Sequence, residues 1–234
     1  LKRINMKTLE TNMSNSTQKL GYWSAIVILT TFIIYIICFV GILTTSPLFI
    51  WTKIDDYIAY TQNNNMFFAE LAKFFMLLMG IAYVVLISAF HEFAEKDKKI
   101  FSRISLSFGI AFMITICIHY FVQISAVRFA LSDGNTLGLE HFIQANPHSM
   151  MSSINMLGWT VFFGLSSLFL VPIFDKSNKL LRISFLMNGI NGLLGAFAFV
   201  FNIIPILAFT AYIGLGAFVF LFSIGSIRFF RKMK

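Results

Sequence analysis

The sequence predicts an all-α membrane protein with six transmembrane helices, and two observations carry that prediction. Six apolar runs of about 20 residues divide the chain, and about 20 helical residues are needed to cross a hydrocarbon layer roughly 30 Å thick. Clusters of Lys and Arg stand at every second boundary between these runs. The composition agrees, because 12% of the residues are charged, whereas soluble domains carry about 25%.

The first apolar run follows a basic tail, residues 1–20, which is interpreted as cytoplasmic, and residues 21–234 are interpreted as one transmembrane bundle. This run is longer than the core of a cleavable signal peptide, which spans about 7 to 15 residues, and it predicts a signal anchor. The six spans are predicted at about 21–43, 67–90, 104–130, 150–173, 180–203 and 206–229.

The last two apolar runs are nearly continuous in the sequence, but they cannot form one helix. A single helix over residues 180–229 would extend about 75 Å at about 1.5 Å per residue, more than twice the hydrocarbon thickness. The chain is therefore predicted to reverse near Pro205, which places Lys179 and Arg228 on the same side of the membrane.

The basic residues also predict the orientation of the bundle. Their clusters lie in the N-terminal tail, in segments 96–103 and 176–182, and in residues 228–234, all on one face. The opposite loops hold Lys53 as their clearly extramembrane basic residue. Because cytoplasmic loops carry an excess of Lys and Arg, both termini are expected in the cytoplasm, with the protein in a bacterial cytoplasmic membrane.

The first loop on the opposite face is expected to contain a surface helix. Ser46 and Pro47 form a good N-cap and N1 pair, and the apolar residues of segment 48–60 share one helical face. This pattern predicts a short helix on the outer membrane surface, packed against the bundle or facing a lipid or partner. The Asn run at 63–65 would end it.

The second loop on that face, residues 131–149, combines a turn with a short helix. Its residues 132–135 read Ser-Asp-Gly-Asn, a typical turn sequence. Residues 137–144 are expected to form a short helix that ends before Pro147.

Small residues are frequent in spans 4 to 6 and favour close helix packing over a glycine hinge. Asn188 and Asn191, one turn apart in span 5, are expected to form interhelical hydrogen bonds. The small residues are Gly158, Gly164, Ser166 and Ser167 in span 4, Gly189, Gly192, Gly195 and Ala196 in span 5, and Gly214, Gly216, Ala217 and Gly225 in span 6.

Polar side chains inside a membrane are costly and mark candidate sites. Spans 2, 3 and 4 carry such side chains at similar depth in the outer half of the bundle, with His119 nearest the midplane. We predict an outward-opening polar pocket for a small anionic or lipid ligand, in which Arg128 or Lys73 meets the anion and His119 binds or exchanges a proton. The predicted binding residues are Glu70, Lys73, His119, Gln123, Arg128 and Asn155.

A structural role for the same residues is the alternative. Glu70 would then pair with Arg128 or Lys73, which would neutralise its charge within the bundle. His119 and Gln123, one helical turn apart on one face of span 3, would bridge neighbouring helices through hydrogen bonds.

No cofactor or metal site is predicted. A haem held by two histidines needs two of them deep in the membrane, and His119 is the only one in this sequence. A retinal Schiff base needs a lysine in mid-span, and no span carries one. Four residues of the second outer loop have spacing too irregular for a metal site and are interpreted as solvated; they are Asp133, Glu140, His141 and His148.

Nucleic acid is not expected as a partner. The net charge of +8 arises from basic residues at helix ends, where the cytoplasmic bias of Lys and Arg accounts for them. Cys38 and Cys117 both lie in apolar runs and are expected to be free thiols that pack as small apolar groups.

Spans 3 and 4 resemble segments of small, uncharacterised bacterial multi-span membrane proteins. Because that group has no agreed activity, the resemblance implies a multi-span architecture and no particular function. The residues that carry it run from His119-Tyr120-Phe121-Val122-Gln123 through Arg128, Asn146-Pro147 and Leu157-Gly158-Trp159 to Leu168-Phe169-Leu170-Val171-Pro172.

The sequence therefore favours a non-enzymatic binding, sensing or accessory protein with an outward-facing polar pocket. The first alternative is a small transporter or carrier that acts as a homo-oligomer, and the second is a membrane-embedded enzyme acting on a lipid-like substrate. A transporter should have a cavity that reaches the midplane past His119. An enzyme should hold a nucleophile or base within hydrogen-bonding distance of a second polar group.

Overall fold

The computed structural model describes residues 14–233, and within that range the chain is helical with no strand. Six helices are long and apolar enough to cross a membrane, which confirms the predicted fold class. A seventh, shorter helix, α2, covers Ile54–Asn63. The six long helices are α1 (Asn15–Thr45), α3 (Phe67–Phe93), α4 (Lys99–Ser132), α5 (Met150–Ile173), α6 (Lys179–Val200) and α7 (Ile204–Lys232).

The N-terminal end of α1 lies within the segment predicted as a basic tail. Residues 1–13 of that tail fall outside the described residues. Ser14 is the N-cap of α1, and its hydroxyl accepts a hydrogen bond from the Thr17 N–H at 3.1 Å. Lys19 therefore belongs to the first turns of α1.

The six long helices form a closed ring in chain order. Each of them packs against the next, and α7 returns to pack against α1. The side-chain amide of Gln18, at the start of α1, donates to the Phe230 carbonyl near the end of α7 at 2.8 Å. The start of α1 and the end of α7 therefore lie on one face, which we call the terminus face. The opposite face, formed by residues 46–66, 133–149 and 201–203, is the loop face.

The predicted start of the surface helix is wrong. The Ser46 N–H bonds to the Ile42 carbonyl at 3.0 Å and closes α1, and α2 begins later, at Ile54. The intervening chain instead directs Phe49 and Trp51 onto Tyr57, with ring centroids 5.2 Å and 6.0 Å from it. Packing these rings together stabilises the non-helical segment.

The second loop contains the predicted turn but little of the predicted helix. Gly134 has φ +71°, a conformation that favours glycine. The helix expected over 137–144 is reduced to one 3₁₀ turn at Leu139–His141, because Gly138 with φ +73° stands immediately before it. Leu139 is buried beside Tyr57, which joins the two loops in one apolar cluster.

The chain reverses between α6 and α7 at residues 201–203. Asn202 adopts φ 54°, and the Ile203 N–H bonds to the Ala198 carbonyl at 2.8 Å. Pro205 stands in the first turn of α7, where its missing N–H costs no helical hydrogen bond.

The middle of the ring is filled by aromatic side chains from five helices. The Phe163 ring lies 4.7 Å from the rings of both Tyr83 and Phe112. The Phe222 ring lies 5.0 Å from Phe185 and 6.0 Å from Phe163. We call these five residues the aromatic floor. All five are fully buried, so the bundle is solid at this level.

Close packing of α5 on α6 depends on glycine. A Cβ atom on Gly192 would lie 2.5 Å from the Thr160 carbonyl oxygen, and one on Gly164 would lie 3.3 Å from the Gly189 carbonyl. These distances confirm that small residues bring the two backbones together. They also place α6 where its asparagine side chains reach neighbouring helices.

The two asparagines of α6 form the predicted interhelical hydrogen bonds. Asn188 Nδ2 donates to Ser167 Oγ of α5 at 2.7 Å. Asn191 Nδ2 donates to the Thr210 carbonyl of α7 at 3.1 Å. Together they tie α6 to both of its neighbours in the ring.

Candidate functional site

A cavity of about 520 Å³ lies above the aromatic floor, in the half of the bundle nearest the loop face. Its walls come mainly from α1, α5, α6 and α7, and single residues of α3, α4 and the second loop complete them. Thr160 and Asn191, which line its deep end, stand near the midpoints of α5 and α6. The cavity therefore extends from the loop-face side to the middle of the bundle.

One side of the cavity is aromatic. Phe32, Tyr35 and Phe39 recur along one face of α1, with successive ring centroids 6.2 Å and 6.5 Å apart. Tyr120 of α4 and Trp159 of α5 line the cavity as well, and the Trp159 indole lies beside the Tyr120 hydroxyl. Such a wall suits the apolar body of an organic ligand.

The polar groups of the cavity are neutral side chains. Asn155 of α5 makes no side-chain hydrogen bond to any described residue, and its Oδ1 is buried. Gln144 reaches in from the second loop, and its carboxamide lies beside the buried His119 imidazole. Thr160 and Thr210 instead donate to carbonyls of their own helices, at 2.5 Å and 3.0 Å. Asn191, the third carboxamide of the lining, donates to the Thr210 carbonyl at 3.1 Å.

Three helices depart from α-helical hydrogen bonding in this half of the bundle. The π-helical segments are Gln123–Val127 in α4, Leu157–Phe162 in α5 and Phe209–Gly214 in α7. The second and third of them line the cavity through Trp159 and Thr210. Wide turns of this kind occur frequently at functional sites. The amino-acid pattern gave no sign of them.

The seam between α1 and α7 is closely packed in the terminus-face half. In the terminus-face half, Leu215–Lys232 packs against both α6 and α1. The Phe32 ring approaches Gly216 there, 3.5 Å from where a Cβ would stand. Nearer the loop face, the section Ile204–Gly214 packs on α6.

Glu70 and Lys73, two of the predicted binding residues, pair with each other. The Lys73 ammonium lies 2.7 Å from Glu70 Oε1, and both side chains are largely buried at the loop-face end of α3. Tyr57 of α2 lies close enough to Glu70 to feel its charge. Burial, and secondarily the Glu70 carboxylate, raises the pKa of Tyr57 to about 12, so this hydroxyl keeps its proton.

His119 and Gln123 connect α4 to α5 and to the second loop. His119 is fully buried, and its Nδ1 lies 3.0 Å from the Met151 carbonyl. Because a carbonyl only accepts, Nδ1 carries the proton. The Gln123 amide donates to the Phe142 carbonyl at 2.5 Å, and its Oε1 accepts from the Gln144 N–H at 3.0 Å. Gln123 thereby holds Gln144 at the edge of the cavity.

Arg128 and Asn155 differ in environment. Arg128 is exposed, and its guanidinium lies 5.0 Å from the Phe129 ring centroid. Of the six predicted binding residues, Asn155 is the one that lines the cavity. The structure therefore brings Glu70 to Lys73 and leaves Arg128 apart from both.

No group of three His, Cys, Asp or Glu side chains within residues 14–233 is placed to hold a metal ion. In the second loop, His141 Nε2 lies 3.7 Å from Glu140 Oε1, and both side chains are partly exposed. Cys38 and Cys117 are free cysteines, the first buried and the second half-buried.

A buried polar network below the cavity was missed by sequence reasoning. The Tyr83 hydroxyl donates to Ser166 Oγ at 3.1 Å, and Ser105 Oγ donates to the Ser166 carbonyl at 2.7 Å. Asn188 joins this network through Ser167. Serines are common in transmembrane helices, so only the recurrence of polar residues in mid-span could have indicated the network.

Comparisons of the chain with known protein families, with curated proteins and with solved structures find no match. The chain is a multi-pass membrane protein. What it does within the membrane has to follow from the chemistry of the cavity.

Proposed function

We propose that this protein binds a small amphipathic molecule within the membrane, in the cavity between α1, α5, α6 and α7. The observation that carries the proposal is the cavity itself: about 520 Å³, largely apolar and aromatic, with a few neutral polar groups. Binding sites for small molecules have this size and character, at roughly 300–1,000 Å³. Among the sequence-based alternatives, this corresponds to a binding, sensing or accessory protein.

The contrast with the rest of the bundle supports a binding role. The rings of the aromatic floor are fully buried and closely packed, as side chains in protein interiors generally are. In such interiors, voids much larger than a water molecule are rare. An empty void of about 520 Å³ would lower stability without a compensating gain, because the atoms that line it lose van der Waals contacts. A bound molecule supplies the missing contacts.

The basic residues support an orientation with the terminus face in the cytoplasm. That face carries Lys96, Lys99 and Arg103 near one loop, and Arg231 and Lys232 at the end of α7. Cytoplasmic segments of membrane proteins are enriched in such residues. In this orientation the cavity lies in the outer leaflet of a cytoplasmic membrane.

Cysteine labelling tests this orientation. In a background with Cys38→Ala and Cys117→Ala, single cysteines at the exposed positions Gln62 and Asn135 on the loop face should react in intact cells with a membrane-impermeant maleimide. A cysteine at the exposed Lys96 on the terminus face should react only after the cells are lysed. The reverse pattern would place the loop face in the cytoplasm.

Fluorescence quenching tests the binding site itself. A variant with Trp23→Phe and Trp51→Phe keeps Trp159, in the cavity wall, as its single tryptophan. In nanodiscs, 10-bromodecan-1-ol should quench this tryptophan saturably, because bromine quenches an indole that it contacts.

Two further substitutions in that variant separate cavity binding from quenching through the bilayer. Gly216→Leu should abolish saturable quenching, since the new side chain points past Phe32 into the cavity. Ser107→Leu, at an exposed position of α4, should quench like the parent. Equal quenching in the parent and in Gly216→Leu would contradict the proposal.

A carrier is the second candidate function, and the depth of the cavity favours it. The cavity passes the level of His119 and reaches Asn191 and Leu215 near the middle of the bundle. Transport would also require a path through the aromatic floor, where fully buried rings such as Phe163 and Phe222 stand. Among the described side chains of the lining, no nucleophile is paired with a base, so an enzyme has the least support.

A further inference from the structure

We propose that Arg128 binds the phosphate group of an anionic membrane lipid in the leaflet at the loop face, and that an acyl chain of this lipid lies along Phe121 and Ile118 of α4. This inference goes beyond the proposed function, because the lipid site faces the bilayer and Arg128 does not line the cavity.

Arg128 lies on the surface of α4 that contacts lipid. From Arg103 to Phe121 the exposed side chains of α4 recur every three or four residues, which defines one face of the helix. Arg128 follows Phe121 by about two turns and is exposed as well. The exposed residues of the regular part of this face are Arg103, Ser107, Ile110, Ile114, Ile118 and Phe121.

The length of α4 places Arg128 at the level of the lipid headgroups. Arg103 and Arg128 are 25 positions apart and therefore stand about 38 Å apart along the helix axis. The hydrocarbon core is about 30 Å thick, and the bilayer with its headgroup regions about 40–45 Å. The two arginines thus bracket the hydrocarbon, with Arg103 at the terminus face and Arg128 at the loop face.

Arg128 also carries an unneutralised charge. Lys53 and Lys73, the other Lys and Arg residues toward the loop face within residues 14–233, pair with Asp55 at 3.8 Å and with Glu70 at 2.7 Å. Arg128 forms no salt bridge with any described residue. A cation without a carboxylate partner at this depth attracts the anionic group of a lipid.

The guanidinium group is oriented for such a contact. It lies over the exposed Phe129 ring, 5.0 Å from the centroid, and stacking of this kind leaves the N–H groups at the edge of the plane available. Two parallel N–H groups match two phosphate oxygens. Asp133, the carboxylate nearest to Arg128 in the sequence, accepts a hydrogen bond from Ser132 at 3.1 Å.

The same charge predicts which lipids bind best. Phosphatidylcholine and phosphatidylethanolamine carry a cationic group beside the phosphate, which Arg128 repels. Phosphatidylglycerol carries no such group. We therefore expect Arg128 to favour phosphatidylglycerol over phosphatidylcholine.

Quenching by brominated lipids tests this preference at the site itself. In the full chain, Trp23, Trp51 and Trp159 are each replaced by Phe, and Phe121→Trp puts the single indole on the same face about 10 Å below Arg128. The protein is placed in phosphatidylcholine vesicles with a rising fraction of 6,7-dibrominated phosphatidylglycerol or phosphatidylcholine. Phosphatidylglycerol should be preferred about fivefold, because a basic residue near an anionic membrane surface contributes about 1 kcal/mol.

Two matched variants of this protein assign the preference to one arginine. Arg128→Gln should make the two brominated lipids quench equally. Arg103→Gln, the same change at the other end of the face, should keep the preference. Equal quenching of all three proteins by brominated phosphatidylcholine would show that each one is folded and inserted.

Three results would overturn the inference. Equal quenching by the two lipids before Arg128 is changed would remove the preference itself. An equal loss in Arg128→Gln and Arg103→Gln would attribute it to the overall charge of the protein. Sodium phosphate in place of sodium chloride, at equal ionic strength, should leave the preference unchanged; its loss in phosphate would assign Arg128 to a soluble anion instead of a lipid.

Discussion

Phe163→Ala should lower the free energy of unfolding of this protein by about 3 kcal/mol, at the low end of the range for a buried Phe→Ala change. Phe163 is fully buried and touches the rings of Tyr83, Phe112, Trp159 and Phe222. Lipid is as apolar as a protein interior, so the loss arises mainly from packing contacts rather than from exclusion of water. Reversible unfolding of the purified protein in mixed micelles would measure it.

Phe121→Ala is the matched control. This side chain is 61% exposed to the surroundings of α4, so its removal should change the unfolding free energy by no more than about 0.5 kcal/mol. Similar losses for the two variants would mean that the aromatic floor does not hold the bundle together. That result would also contradict the close packing of the aromatic floor beneath the cavity.

Gly192→Ala should destabilise the protein by about 1–3 kcal/mol through overpacking. The new methyl group would stand 2.5 Å from the Thr160 carbonyl oxygen and 3.0 Å from the Gly164 Cα. Both obstacles are backbone atoms, so a rotamer change cannot relieve the clash and α5 must move away from α6. The same unfolding assay applies.

Gly216→Ala provides the comparison for Gly192→Ala, because both replace a helical glycine in the cavity wall. The nearest atom to its methyl group is Phe32 Cζ at 3.5 Å, an ordinary van der Waals distance. We expect unchanged or slightly raised stability, since alanine favours a helix by about 1 kcal/mol over glycine. Equal destabilisation of the two variants would indicate that the close α5–α6 contact does not account for the loss at Gly192.

Phe163→Ala and Gly192→Ala test two different sets of contacts around the candidate site. The aromatic floor closes the cavity from below, and the glycine contacts hold the π-helical segment of α5 against α6. Asn191 connects α6 to α7 as well, because its amide donates a hydrogen bond to the Thr210 carbonyl. A Cβ on Gly214 would lie 1.8 Å from Asn191 Oδ1, so glycine at this position makes room for that bond.

The sequence predicted little of the candidate site, since one of the six predicted binding residues lines the cavity. Asn155 was among the predicted binding residues, and it lines the cavity. Gln144, Tyr120 and Trp159 were not among them. Gln144 lies in a loop whose path the sequence does not reveal, and Tyr120 and Trp159 are ordinary aromatic residues of apolar spans. The pairing of Glu70 with Lys73, three positions apart on α3, was one of the two pairings considered for Glu70, the other being with Arg128 of the next span.

By itself the sequence determined that six apolar helices exist, roughly where each begins and ends, and that the chain reverses near Pro205. Those properties depend on the length and hydropathy of each run, which are local. Only the tertiary structure decided that α7 closes the ring on α1 and that a cavity opens above Phe163. In a membrane, lipid and protein interior are equally apolar, so hydrophobicity does not distinguish the inward face of a helix from the outward one. Packing against neighbouring helices makes that distinction, through residues far apart in the chain such as Gly192 and Thr160.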